Sequence, residues 1–228
     1  MTKTTYSNTT IEFQQFNPGT HLTNVRCRNV KFRNCNIGML VHTPNEMVRI
    51  SNTHIERCVA TRCSVAQTII EDCTVNHLRA EGAPLFIWNT VFRRVILQGR
   101  IRRLIVRIGP RVERIWLDTL AREYGACDDW ALDIQDAQLD DVSLEGIPGN
   151  RIRCSPYDAI LARDQAQRLA PQDPLNPNIG SLVVLARNML AGPFDSIVIP
   201  SWQGSKDFNE RQDKLERWAQ DGFVRFAK

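Results

Sequence analysis

Three groups of residues in this 228-residue chain carry chemistry by type: seven cysteines, a block of carboxylates and a run of arginines. The cysteines are Cys27, Cys35, Cys58, Cys63, Cys73, Cys127 and Cys154. An odd count with no CxxC pair fits neither a disulfide framework nor a zinc site, so they read as reduced thiols. Cys58, Cys63 and Cys73 invite a metal reading, but packing of a small apolar side chain is the stronger one. The histidines, His21, His42, His54 and His77, are scattered, and His54 and His77 are expected to point outward in a solvated or partner-facing role. The acidic block runs through Asp128, Asp129, Asp133, Asp136, Asp140, Asp141 and Glu145. Clustered carboxylates can cut polysaccharides, but no Ser/His/Asp set, phosphate loop or dinucleotide fingerprint accompanies them. The expectation is a protein that is not an enzyme and calls for no cofactor or metal.

The arginines are the candidate binding residues. From Arg100 to Arg114 they alternate with aliphatics, and Arg79, Arg93 and Arg94 precede them. Lined up on one wall, Arg93, Arg94, Arg100, Arg102, Arg103 and Arg107 could meet phosphates or an acidic protein. The plainer reading is that they solubilise that wall. Trp88 and Trp116 are predicted to point outward, beneath a C-terminal unit or at a subunit contact. Charge is segregated along the chain. Residues 1–127 hold 18 Lys and Arg against 9 Asp and Glu, residues 128–149 none against 7, and residues 150–228 11 against 9.

What must position these side chains is a period of five. Ile50, Ile55, Ala60, Val65, Ile70 and Val75 are evenly spaced, and two residues before each stand Val48, Thr53, Cys58, Cys63, Thr68 and Cys73. The same columns appear earlier, centred on Leu22, Cys27, Phe32 and Ile37. They return at Ile87, Phe92 and Leu97, then, after a one-residue slip, at Ile101 and Val106. Leu117 after Ile115, and Ile134, Leu139 and Leu144, complete the pattern. A helix scatters such a column around its axis, and a plain strand sends alternate members to opposite faces. A chain that turns a corner every five residues satisfies it, with both columns inward. Four faces take about 20 residues, so residues 20–150 would make six or seven stacked coils.

With Asp136-Ala137-Gln138-Leu139-Asp140-Asp141-Val142-Ser143-Leu144-Glu145 as its clearest stretch, and Val48 to Asn76 close behind, the sequence resembles the pentapeptide-repeat family. That resemblance implies a mainly β fold, a right-handed quadrilateral parallel β-helix. The family's Asn or Asp before the central residue is mostly missing here, which implies less uniform turns. Some members mimic duplex DNA and bind type II topoisomerases such as gyrase, which is a second functional expectation.

Breaks in register predict loops at Met39 to Met47, at Glu81 to Pro84, at Gly109-Pro110 and from Thr119 to Trp130. Residues 1–19 are expected to cap the first coil through Ile11, Phe13 and Phe16. Residues 151–228 are expected to form a mixed, mainly helical unit. Ser155-Pro156-Tyr157-Asp158 reads as a helix start, with the helix running to about Leu169 and Tyr157, Ile160 and Leu161 on one face. Leu182 to Leu190 should be buried, Ile197 to Ile199 should form a short strand, and Lys206 to Gln220 an amphipathic helix. On that last helix Phe208, Leu215 and Trp218 are candidates for a subunit contact.

The first thirty residues carry Thr, Asn and Gln where a secretory signal has a basic start and an apolar stretch, and no apolar run suits a membrane helix. The expected location is the cytoplasm of the producing cell, or a virion or other particle assembled there. The leading functional expectation is a non-catalytic scaffold for a protein partner, with homo-oligomerisation a further expectation. Nucleic-acid binding through the arginines is a third.

Overall fold

The computed structural model describes residues 3–109 and 112–227. Within them the chain is mainly β, with parallel strands in a curled sheet and few helices. Its local rule is a corner. Asn24, Asn29 and Asn34, and then Asn52, Arg57, Arg62, Gln67, Asp72 and His77, each have positive φ at intervals of five residues. Left-handed backbone is cheap for asparagine and costs other side chains about 1–2 kcal/mol each, so packing must hold Arg57 and Arg62 there. At seven of the corners the next residue is a Thr or Cys that ties the bend. Thr53 donates to the carbonyl of Ser51 at 3.1 Å, Thr68 to Ala66 at 2.6 Å and Thr90 to Trp88 at 2.9 Å. The thiols of Cys35, Cys58, Cys63 and Cys73 make the same bond two residues back, at 3.1–3.5 Å.

Corners also bond to one another. The amide of Asn24 donates to Ser51, that of Asn52 to Glu71, that of Asp72 to Arg93 and that of Arg94 to Trp130. Between corners the strands pair in parallel, which sets the inward residues in four lines. Tyr6, Cys27, Ile55, Val75 and Leu97 stand side by side in one. Ile11, Phe32, Ala60 and Ala80 form the second. Phe16, Ile37, Val65, Ile87, Val106 and Leu144 form the third. Leu22, Ile50, Ile70 and Phe92 form the fourth. Of these column residues Cys27, Ala60, Ala80, Ile87, Phe92, Leu97, Val106 and Leu144 are buried, and Ile50, Ile55, Val65, Ile70 and Val75 are half-buried against the core. Each fully buried aliphatic contributes about 1.5–3 kcal/mol. The one-residue slip is a bulge. Asn76 pairs with Gln98 but Leu78 pairs with Ile101, and Gly99, at φ +59°, stands where a Cβ would enter the His77 ring.

Several expectations fail. Ile115 and Leu117 are not inward column members, because helix α1 (Arg114–Gly125) interrupts the strands. Ile115 is exposed, and Trp116, expected outward, is buried with Leu120 and Tyr124 on the inner side of that helix. The break at Gly109-Pro110 falls partly outside the described residues, as does Arg111 of the basic run. Ile11, Phe13 and Phe16 do not cap a first coil. Ile11 and Phe16 lie in strands Thr10–Glu12 and Gln15–Phe16, which pair with residues 31–37, and Phe13 is a corner, 73% exposed. The loop at Met39 to Met47 is present, with a single turn of helix at Pro44–Glu46 that touches α1.

After strand Ile152–Arg153 the chain builds a second core. Ser155 to Asp158 is a turn that leads into strand Ala159–Ala162, not a helix start, and Tyr157, Ile160 and Leu161 share no helical face. The expected helix is confined to α2 (Arg163–Leu169). Strand Ala159–Ala162 pairs antiparallel with Ser196–Ile199 and Arg225–Phe226, and α2, α3 (Gly180–Leu190) and α4 (Phe208–Gln220) supply residues that pack with it. Among the described residues no helix is long and apolar enough to cross a membrane.

Candidate partner-binding surface

The candidate arginines lie on strands Val91–Arg93 and Val95–Arg107 and on the corner between them. Strand Ala137–Leu144 pairs in parallel with the longer of these, so that Arg102 stands beside Asp140 and Arg100 beside Gln138. The acidic block is thereby set against the basic run. Asp140 accepts from Arg100 at 3.2 Å and lies 2.8 Å from Arg102 Nε as an ion pair, and Asp141 lies 3.8 Å from Arg103. Arg103 also donates to the carbonyl of Gly82 at 3.2 Å. Arg93 meets Glu123 of α1 at 2.7 Å. Arg94 is held by three bonds of 2.6–2.9 Å to Glu71 and Asp72, and its guanidinium keeps the Asp72 carboxyl below the usual carboxylate range. Each of the six candidate arginines has a carboxylate within 4 Å. Of the acidic block, Asp140, Asp141 and Glu145 are thus brought beside Arg100, Arg102, Arg103 and Arg107.

The sixth, Arg107, differs. Its strongest neighbour is Glu145, whose side chain is only 5% exposed and whose Oε1 accepts from Ser143 Oγ at 2.6 Å. Arg107 Nη2 stays 3.9 Å from that oxygen, and both Arg107 Nε and Glu145 Oε2 are buried without a hydrogen-bond partner. Trp88 pairs in register with Arg107, stacks flat on Phe86 with ring centres 5.1 Å apart, and lies 5.9 Å below the Arg107 guanidinium. These residues wall a cleft of about 390 Å³, closed on the far side by Leu117 of α1 and by Asn188 and Ala191 at the end of α3. The cleft offers an aromatic face, a cation and an anion, which suits holding a polar chain more than transforming one.

Of the binding residues expected from sequence, the structure thus brings Trp88 and Arg107 together and leaves Arg93, Arg94, Arg100, Arg102 and Arg103 on paired walls. Trp116 is buried elsewhere in the core. Leu215 and Trp218 are spent inside their own chain, 1% and 5% exposed, and the Trp218 indole donates to the Asn178 carbonyl at 2.9 Å. They are not available for a subunit contact as they stand. Phe208 is half-buried, edge-on to Tyr157. Glu145 was read from sequence only as part of the acidic block.

Sequence reading missed Tyr124. Its buried hydroxyl accepts from the Phe92 amide and donates to the Thr90 carbonyl, both at 3.2 Å, closing the outer side of strand Val91–Arg93. The spacing Trp116, Leu120, Tyr124 is the helical signal that could have found it. Burial pushes the thiols of Cys27 and Cys154 up to about 11, far from a reactive thiolate. Among the described residues no group of three or more His, Cys, Asp or Glu could hold a metal ion. In comparison with known proteins, no family model and no curated protein matches this chain.

Proposed function

We propose that residues 3–153 wind as a right-handed β-helix of the pentapeptide-repeat kind, that residues 154–227 form a C-terminal unit upon it, and that the whole is a non-catalytic scaffold for a protein partner. Corners every five residues and four lines of inward side chains support the winding. The observation that carries the functional reading is the register that sets Arg102 against Asp140 and its neighbours against Asp141. An arginine wall neutralised from within has few counterions to release, so it gains little from phosphate. The same pairing takes carboxylates away from a DNA-mimicking surface, the reading in which the protein binds gyrase. What remains for a partner is the cleft at Trp88, Arg107 and Glu145, and the loop at Met39 and Leu40, both of which are exposed. A place within a larger assembly such as a virion fits a scaffold of this kind.

The test has two arms. Gel shifts with duplex DNA and with RNA at low salt should show no complex, and gyrase supercoiling should be unchanged at micromolar protein. In the second arm, a partner captured from the producing cells by the native protein should be lost with Trp88→Ala and kept with Arg62→Ala, a corner residue outside the cleft. A salt-sensitive shift, inhibited supercoiling, or capture indifferent to Trp88→Ala would overturn the reading.

A further inference from the structure

The two borders of the parallel sheet are finished differently. On the far border, strand Val91–Arg93 is closed by Tyr124 of α1. Strand Leu132–Asp133 is paired by Ile152–Arg153, and Ala137–Leu144 packs against Ser196–Ile199. At Gly149, just beyond it, a Cβ would stand 2.8 Å from Ser196 Oγ and tight against the Ile197 backbone. On the near border, among the described residues, strands Thr4–Ser7, Thr10–Glu12, Gln15–Phe16 and His21–Thr23 each have a partner on one side only. Their outer backbone groups form an open edge, the standard template for pairing with another strand.

Four observations bear on what fills that edge. Tyr6, 40% exposed, and the half-buried Ile11, Phe16 and Leu22 head the four inward lines with no further strand beside them among the described residues. The edge is nearly uncharged: residues 3–23 hold one lysine and one glutamate, and that glutamate, Glu12, is taken by Arg33 at 3.3 Å. Such an edge meets its own copy without like-charge repulsion. It is also rich in Thr, Asn and Gln, which can donate and accept. Finally, at the opposite border Tyr124 and strand Ser196–Ile199 lie against Val91–Arg93 and Ala137–Leu144, so a copy that docks here does not present the same uncharged edge again.

We propose that this edge is a homodimer interface, with two copies of the chain meeting head to head about a two-fold axis. The strands of one copy then run antiparallel to those of the other, and each Tyr6, Ile11, Phe16 and Leu22 set closes the other's core. An isologous contact of this kind saturates at two copies, because the surface that makes it is consumed on both. The inference rests on the pairing registers and exposures, and it holds whichever protein the scaffold receives.

The full chain, tagged only at its C-terminus, should sediment as a dimer toward the top of the micromolar range and as a monomer on dilution. Ile11→Lys combined with Phe16→Lys should give a monomer with an unchanged circular dichroism spectrum, whereas Met39→Ser with Leu40→Ser should stay dimeric. Should the lysine variant fail to fold, hydrogen exchange of the native chain decides instead. Amides of residues 4–23 should exchange more slowly as concentration rises, while those of residues 154–227 should not respond. A native chain that is monomeric throughout, a dimer that survives the lysines, growth beyond two copies, or edge protection independent of concentration would each overturn the proposal.

Discussion

Residues 4–107 and residues 154–227 solve the same problem, fixing a chain that bends often, with different economies. The first segment repeats one device: a left-handed corner, an inward Thr or Cys that bonds two residues back, and a corner amide that reaches the next strand. The second uses joints that occur once. Asp158 accepts from the Ser155 amide at 2.7 Å and the Ser201 amide at 2.6 Å, while its own carbonyl takes the Ala227 amide at 2.9 Å. Gln212 of α4 then spans Tyr157 and Ser201. Repetition spreads the cost of any one defect over neighbours of the same kind. A joint used once concentrates that cost, so equal chemical insults should have unequal effects in the two segments.

The largest effect should come from a place where even the repeating segment uses a joint only once. Gly38, at φ +70°, ends strand Asn36–Ile37 before the Met39 loop, and a Cβ there would run into the Ala66 carbonyl. Gly38→Ala should cost about 3 kcal/mol or more in urea unfolding, since backbone must move to relieve it. Next comes Asp158→Ala, expected to cost about 3 kcal/mol by stranding the buried Ser201 amide and the half-buried Ser155 amide. The Asp158 carboxyl also has a pH signature. Burial raises it above the ordinary carboxylate range, so the folded chain keeps a proton that the unfolded chain has released. Its contribution therefore weakens as pH climbs from the ordinary carboxylate value through the raised one, and Asp158→Asn should flatten the stability profile across that window.

Within the repeats, Thr68→Val keeps shape and loses one buried bond, and should cost only about 1–2 kcal/mol. A cost as large as that of Asp158→Ala would erase the contrast between the two segments. Smallest of all is Arg94→Ala on the wall, worth less than about 1 kcal/mol because the pair is partly exposed and screened. Its readout is the titration of Asp72 by NMR. In the native chain that carboxyl titrates low, so its stabilisation is present above the ordinary value and fades as pH falls through the lowered one. With Arg94 gone the midpoint should rise.

The core was legible because a period of five has few physical solutions, and Ile55, Val65 and Ile70 could only share a side if the chain turned between them. Corner conformation at Arg57, Arg62 and Gln67 was not legible, since nothing in those side chains favours positive φ and only their place in the register imposes it. Helix α1 was hidden by the same success: carrying the period through Ile115 and Leu117 overrode the helical spacing of Trp116, Leu120 and Tyr124. At Ser155-Pro156 the capping signals were real, and Ser155 Oγ does accept the Tyr157 amide at 3.3 Å. Pairing of Ala159–Ala162 with Ser196–Ile199, contacts more than thirty residues away, turned the next segment into strand. The neutral wall was invisible for a like reason. Arg102 and Asp140 are separated by a whole helix in sequence, and only the register across that insertion shows that they are neighbours.

The offset of twenty residues between the partners His54 and Thr74 has a consequence for how such a chain can change length. His54 stands between Arg26 and Thr74, and Asn52 and Asp72 are corners of the same hand. Excising residues 53–72 would deliver Cys73 and Thr74 to the places that Thr53 and His54 now hold against Arg26, with every later partner carried along unchanged. Twenty residues are thus a heritable increment, by which a gene could lengthen or shorten this protein without redesigning either border.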